Sequence, residues 1–98
     1  MANSIIKFLR GLNVIKTIGA SDNIDADDLY GEDKIGIYYI KDFIPNVPAR
    51  YSYLIVLSHS ATSGEQILLA SEMYFRGRWG NPIAWGAWRK VTKTDVTS

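Results

Sequence analysis

Five short stretches with a hydrophobic period of two constrain the fold of this 98-residue chain more than any other feature. They occupy residues 35 to 41, 51 to 57, 65 to 71, 73 to 79 and 85 to 91, and they read IGIYYIK, YSYLIVL, EQILLAS, MYFRGRW and WGAWRKV. All five are rich in aliphatic, β-branched and aromatic residues, which favour strands. The segments between them, including PNVPAR, SHSATSG and GNPIA, are typical of turns. The pattern predicts a mainly β fold, a small antiparallel meander of about five strands.

The first residues carry a different pattern. Ser4 is a candidate N-cap, and Ile5, Ile6 and Leu9 follow it at helical spacing, which predicts a short N-terminal helix. A helix of one or two turns is marginal alone, so we expect it to pack on the edge of its own domain or against its copies about a threefold axis. The predicted organisation is a helical lead-in and linker at residues 1 to 20, a β domain at 21 to 93 and a flexible tail at 94 to 98.

The stretch SDNIDADDLYGEDK precedes the first predicted strand and reads as an acidic loop. Asp25, Asp27 and Asp28 in this loop are suited to cap a single helical turn that ends near Gly31. The loop resembles a calcium site only in composition, because the ligand alternation and the central glycine of an EF-hand are missing. We therefore predict no metal site here.

Charge and composition exclude several classes of protein. Eleven basic and ten acidic residues give a net charge of +1, without the basic excess of a nucleic-acid-binding protein. The chain has no cysteine, hence no disulfide and no thiol nucleophile. The apolar run at the N-terminus is interrupted by Lys7 and Arg10 and is too short for a signal sequence or a membrane span. We expect a soluble chain that binds no nucleic acid and does not insert into a membrane.

The sequence contains few candidate catalytic groups. His59 is the only histidine and lies in the polar loop SHSATSG, where we expect it to be solvated. Its neighbours Ser58 and Ser60 would point away from it on an extended backbone, so they do not form a catalytic triad with it. Paired carboxylates for glycoside hydrolysis would have to converge in a groove, whereas nearly every acid belongs to residues 22 to 33 or to scattered turns. The sequence predicts no enzyme activity and no cofactor.

The predicted strand at residues 73 to 79 divides into two faces. Alternation places Met73, Phe75, Gly77 and Trp79 on one face, and Tyr74, Arg76 and Arg78 on the other. The first set is the more apolar, so we expect it to face the core. The second set would then present aromatic rings and guanidinium groups at a surface.

Two of the three tryptophans follow in the last predicted strand. Trp85 and Trp88 are three residues apart, so they cannot share one face of a regular strand. At least one of them must lie in a turn or a bulge, and Gly86 between them fits a bend.

The order of these features resembles the pyocin-knob family of phage tail fibres and pyocin fibres. The similarity covers roughly residues 21 to 92, and it runs from an acidic lead-in through G-x-Y-x-I and Q-I to Y-x-R and a final W-x-x-W-x-K/R. These elements fall on Gly36, Tyr38 and Ile40, on Gln66 and Ile67, on Tyr74 and Arg76, and on Trp85, Trp88, Arg89 and Lys90. The insert KDFIPNVPARYS and Pro82 depart from the pattern.

The resemblance implies a homotrimeric fibre in the virion, made in the cytoplasm of the host bacterium and joined to other tail proteins. Its domain would help the particle to hold a bacterial surface polysaccharide or lipopolysaccharide. The alternative is a structural trimerisation or adaptor domain, with recognition elsewhere in the fibre. An RNA-binding module that uses FRGRWG has suitable stacking chemistry but lacks a supporting basic field.

Within this resemblance, Trp85, Trp88 and Arg76 are expected to be internal, with Arg76 forming hydrogen bonds inside the domain or between subunits. Trp79, at the WGNP turn, is the best candidate for an exposed aromatic plane. The candidate glycan site comprises Trp79, Arg78, Tyr74 and Asn81, together with Tyr51 or Tyr53 from a neighbouring strand. The alternative for Trp79 is that it caps the hydrophobic core at the hairpin end.

Overall fold

In the computed structural model, which describes residues 14 to 92, the chain forms one mixed β-sheet, so the mainly β prediction is confirmed. The strands are β1 (Val14–Ile18), β2 (Gly36–Ile40), β3 (Ser52–Leu57), β4 (Gly64–Leu69), β5 (Met73–Trp79), β6 (Ala84–Trp85) and β7 (Arg89–Lys90). The helix predicted at Ile5, Ile6 and Leu9 and the tail predicted at 94 to 98 lie outside the described residues.

Strands β2 to β5 form the predicted antiparallel meander, each pairing with the next along the chain. The last predicted strand is instead divided into β6 and β7, which both pair with β5 and are separated by residues 86 to 88, which belong to neither strand. This interruption separates Trp85 from Trp88, as their spacing required.

The sheet is not purely antiparallel, because β1 runs parallel to β2. Sequence analysis missed this strand and placed its residues in the linker. A parallel pair requires a long crossover connection, here residues 19 to 35, so its partner cannot be read from a neighbouring turn. In the structure, β1 is therefore an additional edge strand, and the acidic loop is part of a crossover that passes over one face of the sheet.

The crossover consists of three short 3₁₀ turns, Ala20–Asp22, Ala26–Asp28 and Glu32–Lys34. Asp25 caps the second, since its Oδ1 accepts a hydrogen bond from the Asp27 N–H at 2.8 Å. The same oxygen accepts one from Asn46 Nδ2 at 2.8 Å, which joins the crossover to the loop between β2 and β3. Among residues 14 to 92, no helix has the length and hydropathy needed to cross a membrane.

The core lies between the sheet and these two covering segments, the crossover and the β2–β3 loop. Its buried apolar residues are Ile18, Ala26, Leu29, Tyr38, Ile40, Ile44, Leu54, Val56 and Leu68. The alternating burial of β3 and β4 assigns one face of each strand to this core. Each fully buried aliphatic side chain stabilises the fold by about 1.5 to 3 kcal/mol.

On β5 the two predicted faces exist, but their orientation is the reverse of the prediction. Arg76 is only 6 % exposed and faces the core, whereas Phe75 and Trp79 are 44 % and 75 % exposed on the opposite face. The prediction assumed that the more apolar face is the buried one. It was wrong because the buried Gln66 and the partly exposed Asp27 form hydrogen bonds with the Arg76 guanidinium, of which only Nη2 is left without a partner.

Candidate functional site

Arg76 is the centre of a buried polar network on the covered face of the sheet. Its Nε–H donates to Gln66 Oε1 at 2.9 Å, and its Nη1 donates to Asp27 Oδ1 at 2.8 Å. The guanidinium also lies 4.1 Å from the ring centroid of Trp85 and 4.6 Å from that of Trp88. Burial lowers the pKa of Arg76, while the hydrogen bond and the charge of Asp27 oppose that effect. Cation and carboxylate therefore stabilise each other in an aromatic setting.

The same network attaches the covering segments to the sheet. Gln66 Nε2 donates to the carbonyl oxygens of Ala26 and Leu29 at 2.7 and 2.9 Å. Both half-buried tryptophans donate through Nε1, Trp85 to the carbonyl of Asp27 at 2.9 Å and Trp88 to that of Asn46 at 2.8 Å. These residues therefore hold the domain together and do not form an exposed site, and the prediction that Arg76 is internal is confirmed.

A hollow of about 400 Å³ opens close to this network, at the edge of the sheet where β3 ends, β4 begins and β5 ends. Its lining consists of Leu57, Ser58, His59, Ser63, Gly64, Glu65, Arg78 and Trp79. It combines an aromatic plane with an imidazole, a carboxylate, a guanidinium and hydroxyl groups. Such a mixture of apolar and polar groups is typical of small-ligand sites.

The loop between β3 and β4 forms one wall of this hollow, and its own side chains fix its shape. The Ser60 Oγ–H donates to Ser63 Oγ at 2.7 Å, and the Ser63 N–H donates to Ser60 Oγ at 3.0 Å. The Ser60 N–H donates to Ser58 Oγ at 3.2 Å. Sequence analysis treated the segment as an ordinary polar loop and missed its role as a preformed wall. The repeated serines were the available signal, because short hydroxyl side chains commonly bond to nearby backbone.

Arg78 belongs to the lining, and its side chain is held by two contacts with residues outside that lining. Its Nε–H donates to the carbonyl of Thr62 at 3.0 Å, and its guanidinium carbon lies 4.0 Å from the ring centroid of Tyr30. These contacts fix the planar group, whose other N–H groups are hydrogen-bond donors. Arg78 therefore presents donors in a preset orientation.

Trp79 is 75 % exposed at the rim of the hollow. Its indole lies against Gly77, since a Cβ on Gly77 would be 2.6 Å from Trp79 Nε1. Only glycine at this position lets the ring lie along the strand. Trp79 is thus the predicted exposed aromatic plane, and the alternative that it caps the core is wrong because it lies on the opposite face of the sheet.

The structure does not bring the other predicted site residues to the hollow. Tyr74 is half-buried and packs against the core cluster, while Asn81 is exposed in the turn between β5 and β6, before a cis bond to Pro82. Neither residue is part of the lining.

Tyr51 and Tyr53 lie at the opposite end of the sheet from Trp79. Tyr53 is aligned with Leu69, which is aligned with Met73, six residues from Trp79 along β5. That separation is about 20 Å at the rise of a strand. The predicted combination of Trp79 with a tyrosine of β3 therefore does not form within one domain.

Tyr51 belongs instead to an aromatic–arginine stack on the β2–β3 loop. The Arg50 guanidinium carbon lies 5.1 Å from the ring centroid of Phe43 and 4.9 Å from that of Tyr51. Both rings are more than half exposed, and Tyr51 has a left-handed backbone with φ of 54°. The stack is therefore an exposed feature of the β2–β3 loop.

The lining of the hollow offers an aromatic ring together with hydrogen-bond donors and acceptors. Within the described part of the chain, no three histidine or acidic side chains are grouped so as to hold a metal ion. Comparison with known proteins finds no matching family model, curated protein or solved structure.

Proposed function

We propose that this chain is a non-enzymatic domain of a phage tail fibre that contributes to recognition of a bacterial surface glycan. The fibre is a homotrimer of the virion, attached to other tail proteins, and its ligand is a polysaccharide or lipopolysaccharide. The observation that carries the proposal is the hollow whose lining includes the largely exposed Trp79 together with Arg78 and Glu65.

The chemistry of the hollow suits a saccharide. The C–H face of a sugar ring stacks on an aromatic plane, and its hydroxyls bond to donors and acceptors such as Arg78 and Glu65. A volume of about 400 Å³ is at the lower end of the range for small-ligand sites. Because the site is half-open, we expect a dissociation constant on the order of 1 mM per domain, with avidity supplied by several copies.

The arrangement around Arg76 supports the pyocin-knob part of the proposal. Gln66, Arg76, Trp85 and Trp88 were matched to that family only by order along the chain. In the folded domain they contact one another or the same crossover. If the chain shares the fold of that family, these motif positions should have one structural role in common, and this clustering agrees with that requirement.

A structural trimerisation or adaptor domain is the second candidate, and the apolar character of the uncovered sheet face favours it. On that face Phe75 and Leu69 are 44 % and 41 % exposed. In this case the face joins fibre subunits, and the glycan is bound elsewhere in the fibre.

Adsorption to bacterial cells and binding to a glycan array separate the two candidates. Glycan recognition predicts that the parent chain adsorbs and that Trp79→Ala weakens adsorption at least tenfold with fold and mass unchanged. Phe43→Ala is the matched control, because it removes an exposed aromatic ring from the opposite end of the domain. A parent chain that never adsorbs, or a Trp79→Ala variant that adsorbs fully, would favour the adaptor.

A further inference from the structure

The lining of the hollow contains one acidic side chain, Glu65, and it lies on the same face of the sheet as Trp79. Burial alternates along β4, where Gly64 and Gln66 are buried and Glu65 between them is exposed. Glu65 therefore points to the face opposite the core. In the register of β4 and β5 it pairs with Gly77, which shares that face with Trp79 two residues further on. The carboxylate and the indole are thus presented on one open face.

The position of the indole brings the two groups close together. A Cβ on Gly77 would lie 2.6 Å from Trp79 Nε1, so the ring lies against Gly77 itself. Directly paired residues have Cβ positions about 4.5 to 5.5 Å apart, which places Glu65 Cβ within roughly 8 Å of the indole nitrogen. The carboxylate extends from that Cβ and can contact a ligand that stacks on the ring.

The charge of Glu65 is not offset by Arg78 on this face. Arg78 pairs in the register with the buried Gly64, so it belongs to the covered face of the sheet. Its guanidinium contacts the ring of Tyr30 and the carbonyl of Thr62, and both of these residues lie outside the lining. The carboxylate is therefore the charged group on the open face of the hollow.

Within residues 14 to 92, Glu65 forms no ion pair with another side chain. The ion pair in this part of the chain joins Arg76 to Asp27. Arg89 shares the open face with Glu65, but β5 lies between them and Arg89 does not belong to the lining. The Glu65 carboxylate is consequently available to a ligand.

We propose that the saccharide unit bound in the hollow carries a free amino group, and that Glu65 is the residue that selects it. An ammonium group is attracted both by a carboxylate and by the face of a tryptophan ring. It has only donors, whereas an ionised carboxylate has only acceptors. An acidic sugar would instead place a like charge beside Glu65. This inference rests on the proposed function, because it names the class of saccharide for the same site.

Two trisaccharides with the same backbone test this selection. The trimer of glucosamine has free amino groups, and the trimer of N-acetylglucosamine has lost their charge through acetylation. Binding at neutral pH is followed by the indole N–H signal of Trp79 in NMR. We expect the parent chain to bind the glucosamine trimer about tenfold more tightly, and Glu65→Gln to reduce that preference to about twofold or less. Glu32→Gln, which removes an exposed carboxylate outside the lining, should retain the preference.

The outcomes separate this inference from the proposed function. Equal binding of the two trimers, or a preference that persists in Glu65→Gln, would overturn selection by Glu65 and leave glycan recognition in place. A preference that is lost equally in Glu32→Gln would show a general attraction of cations to the chain, and it would also overturn the inference. If neither trimer nor oligosaccharide from the bacterial surface moves the Trp79 signal, both proposals fail.

A negatively charged ligand provides a second measurement that requires no substitution. The trimer of glucuronic acid carries carboxylates, so repulsion by Glu65 should make it bind the parent chain several-fold more weakly than the trimer of N-acetylglucosamine. Tighter binding of the acidic trimer would mean that Arg78 sets the charge preference of the hollow, and it would overturn the inference.

Discussion

Gln66 and Arg76 face each other directly across β4 and β5, and their buried side chains are joined by a 2.9 Å hydrogen bond. This pair attaches the crossover, one of the two irregular covering segments, to the short sheet. The Gln66 amide donates to the crossover backbone, and the Arg76 guanidinium binds Asp27 of the same crossover. This buried polar pair fixes the position of the crossover on the sheet. Apolar packing alone would not do so, because only hydrogen bonds fix both distance and orientation.

Replacement of Arg76 by Lys should therefore destabilise the domain by about 3 kcal/mol, although the charge is retained. An ammonium cannot bond to Gln66 and Asp27 in the geometry of the guanidinium, nor present a flat group between Trp85 and Trp88. Urea denaturation measures the loss. Arg89→Lys, at an exposed position, is the control and should change the stability by less than about 0.5 kcal/mol. Equal stability of the two variants would show that the Arg76 network is dispensable.

Gly77→Ala should weaken glycan binding without unfolding the domain. The new methyl group would meet the Trp79 indole at 2.6 Å, so the ring must leave its position along β5. We expect adsorption to bacterial cells to fall by about tenfold, as for a misplaced binding group. Gly86→Ala is the matched control, because its Cβ would meet only ordinary contacts. Unchanged adsorption by Gly77→Ala would mean that the orientation of the indole is irrelevant to binding.

Trp88→Ala should lower the stability of the domain far more than Trp79→Ala. Trp88 packs against the core, contacts Arg76 and donates to Asn46, so its loss should cost about 3 kcal/mol. Trp79 is largely exposed, and its loss should cost less than about 1 kcal/mol. Thermal unfolding followed by circular dichroism compares the two, and a stable Trp88→Ala variant would contradict its assignment to the core.

Stability should decline at alkaline pH partly because of Tyr38. Burial raises the pKa of this phenol above its ordinary value of 10.0, and its hydroxyl donates to the Lys34 carbonyl at 2.8 Å. The unfolded chain therefore loses this proton first, so the stabilisation is present below pH 10 and is lost as the pH rises through the raised pKa.

Tyr38→Phe provides the test of that contribution. The variant should lose less stability than the parent between about pH 9 and about pH 11, as measured by urea denaturation at each pH. Tyr51→Phe, which alters an exposed ring, is the control and should follow the parent. If Tyr38→Phe also follows the parent, the phenol ionises equally in the folded and unfolded chains.

The sequence predicted the elements whose partners are local and missed those whose partners are distant. β2 to β5 follow from alternation and from the turns that join them, whereas β1 pairs in parallel after a crossover of 17 residues, from 19 to 35. Alternation also defined the two faces of β5 but not which one is buried. That choice depends on Gln66 of the neighbouring strand and on Asp27, which binds Arg76 although it lies 49 residues away along the chain.

The candidate site was predicted only where its residues are neighbours in sequence. Arg78 and Trp79 line the hollow together, but the wall formed by residues 58 to 63 depends on hydrogen bonds among its serines. The tyrosines of the β3 region were placed at the wrong end, because the composition of a strand does not show which of its ends meets Trp79.

The most direct test of glycan recognition follows the three tryptophan indole N–H signals by NMR while oligosaccharides from the bacterial surface are added. Trp85 and Trp88 donate their indole N–H groups to backbone carbonyls inside the domain, whereas Trp79 is exposed at the hollow. We predict that the Trp79 signal shifts in a saturable manner at concentrations on the order of 1 mM, while the other two signals stay in place. A Trp79 signal that does not move with oligosaccharide from a strain to which the parent chain adsorbs would contradict the account.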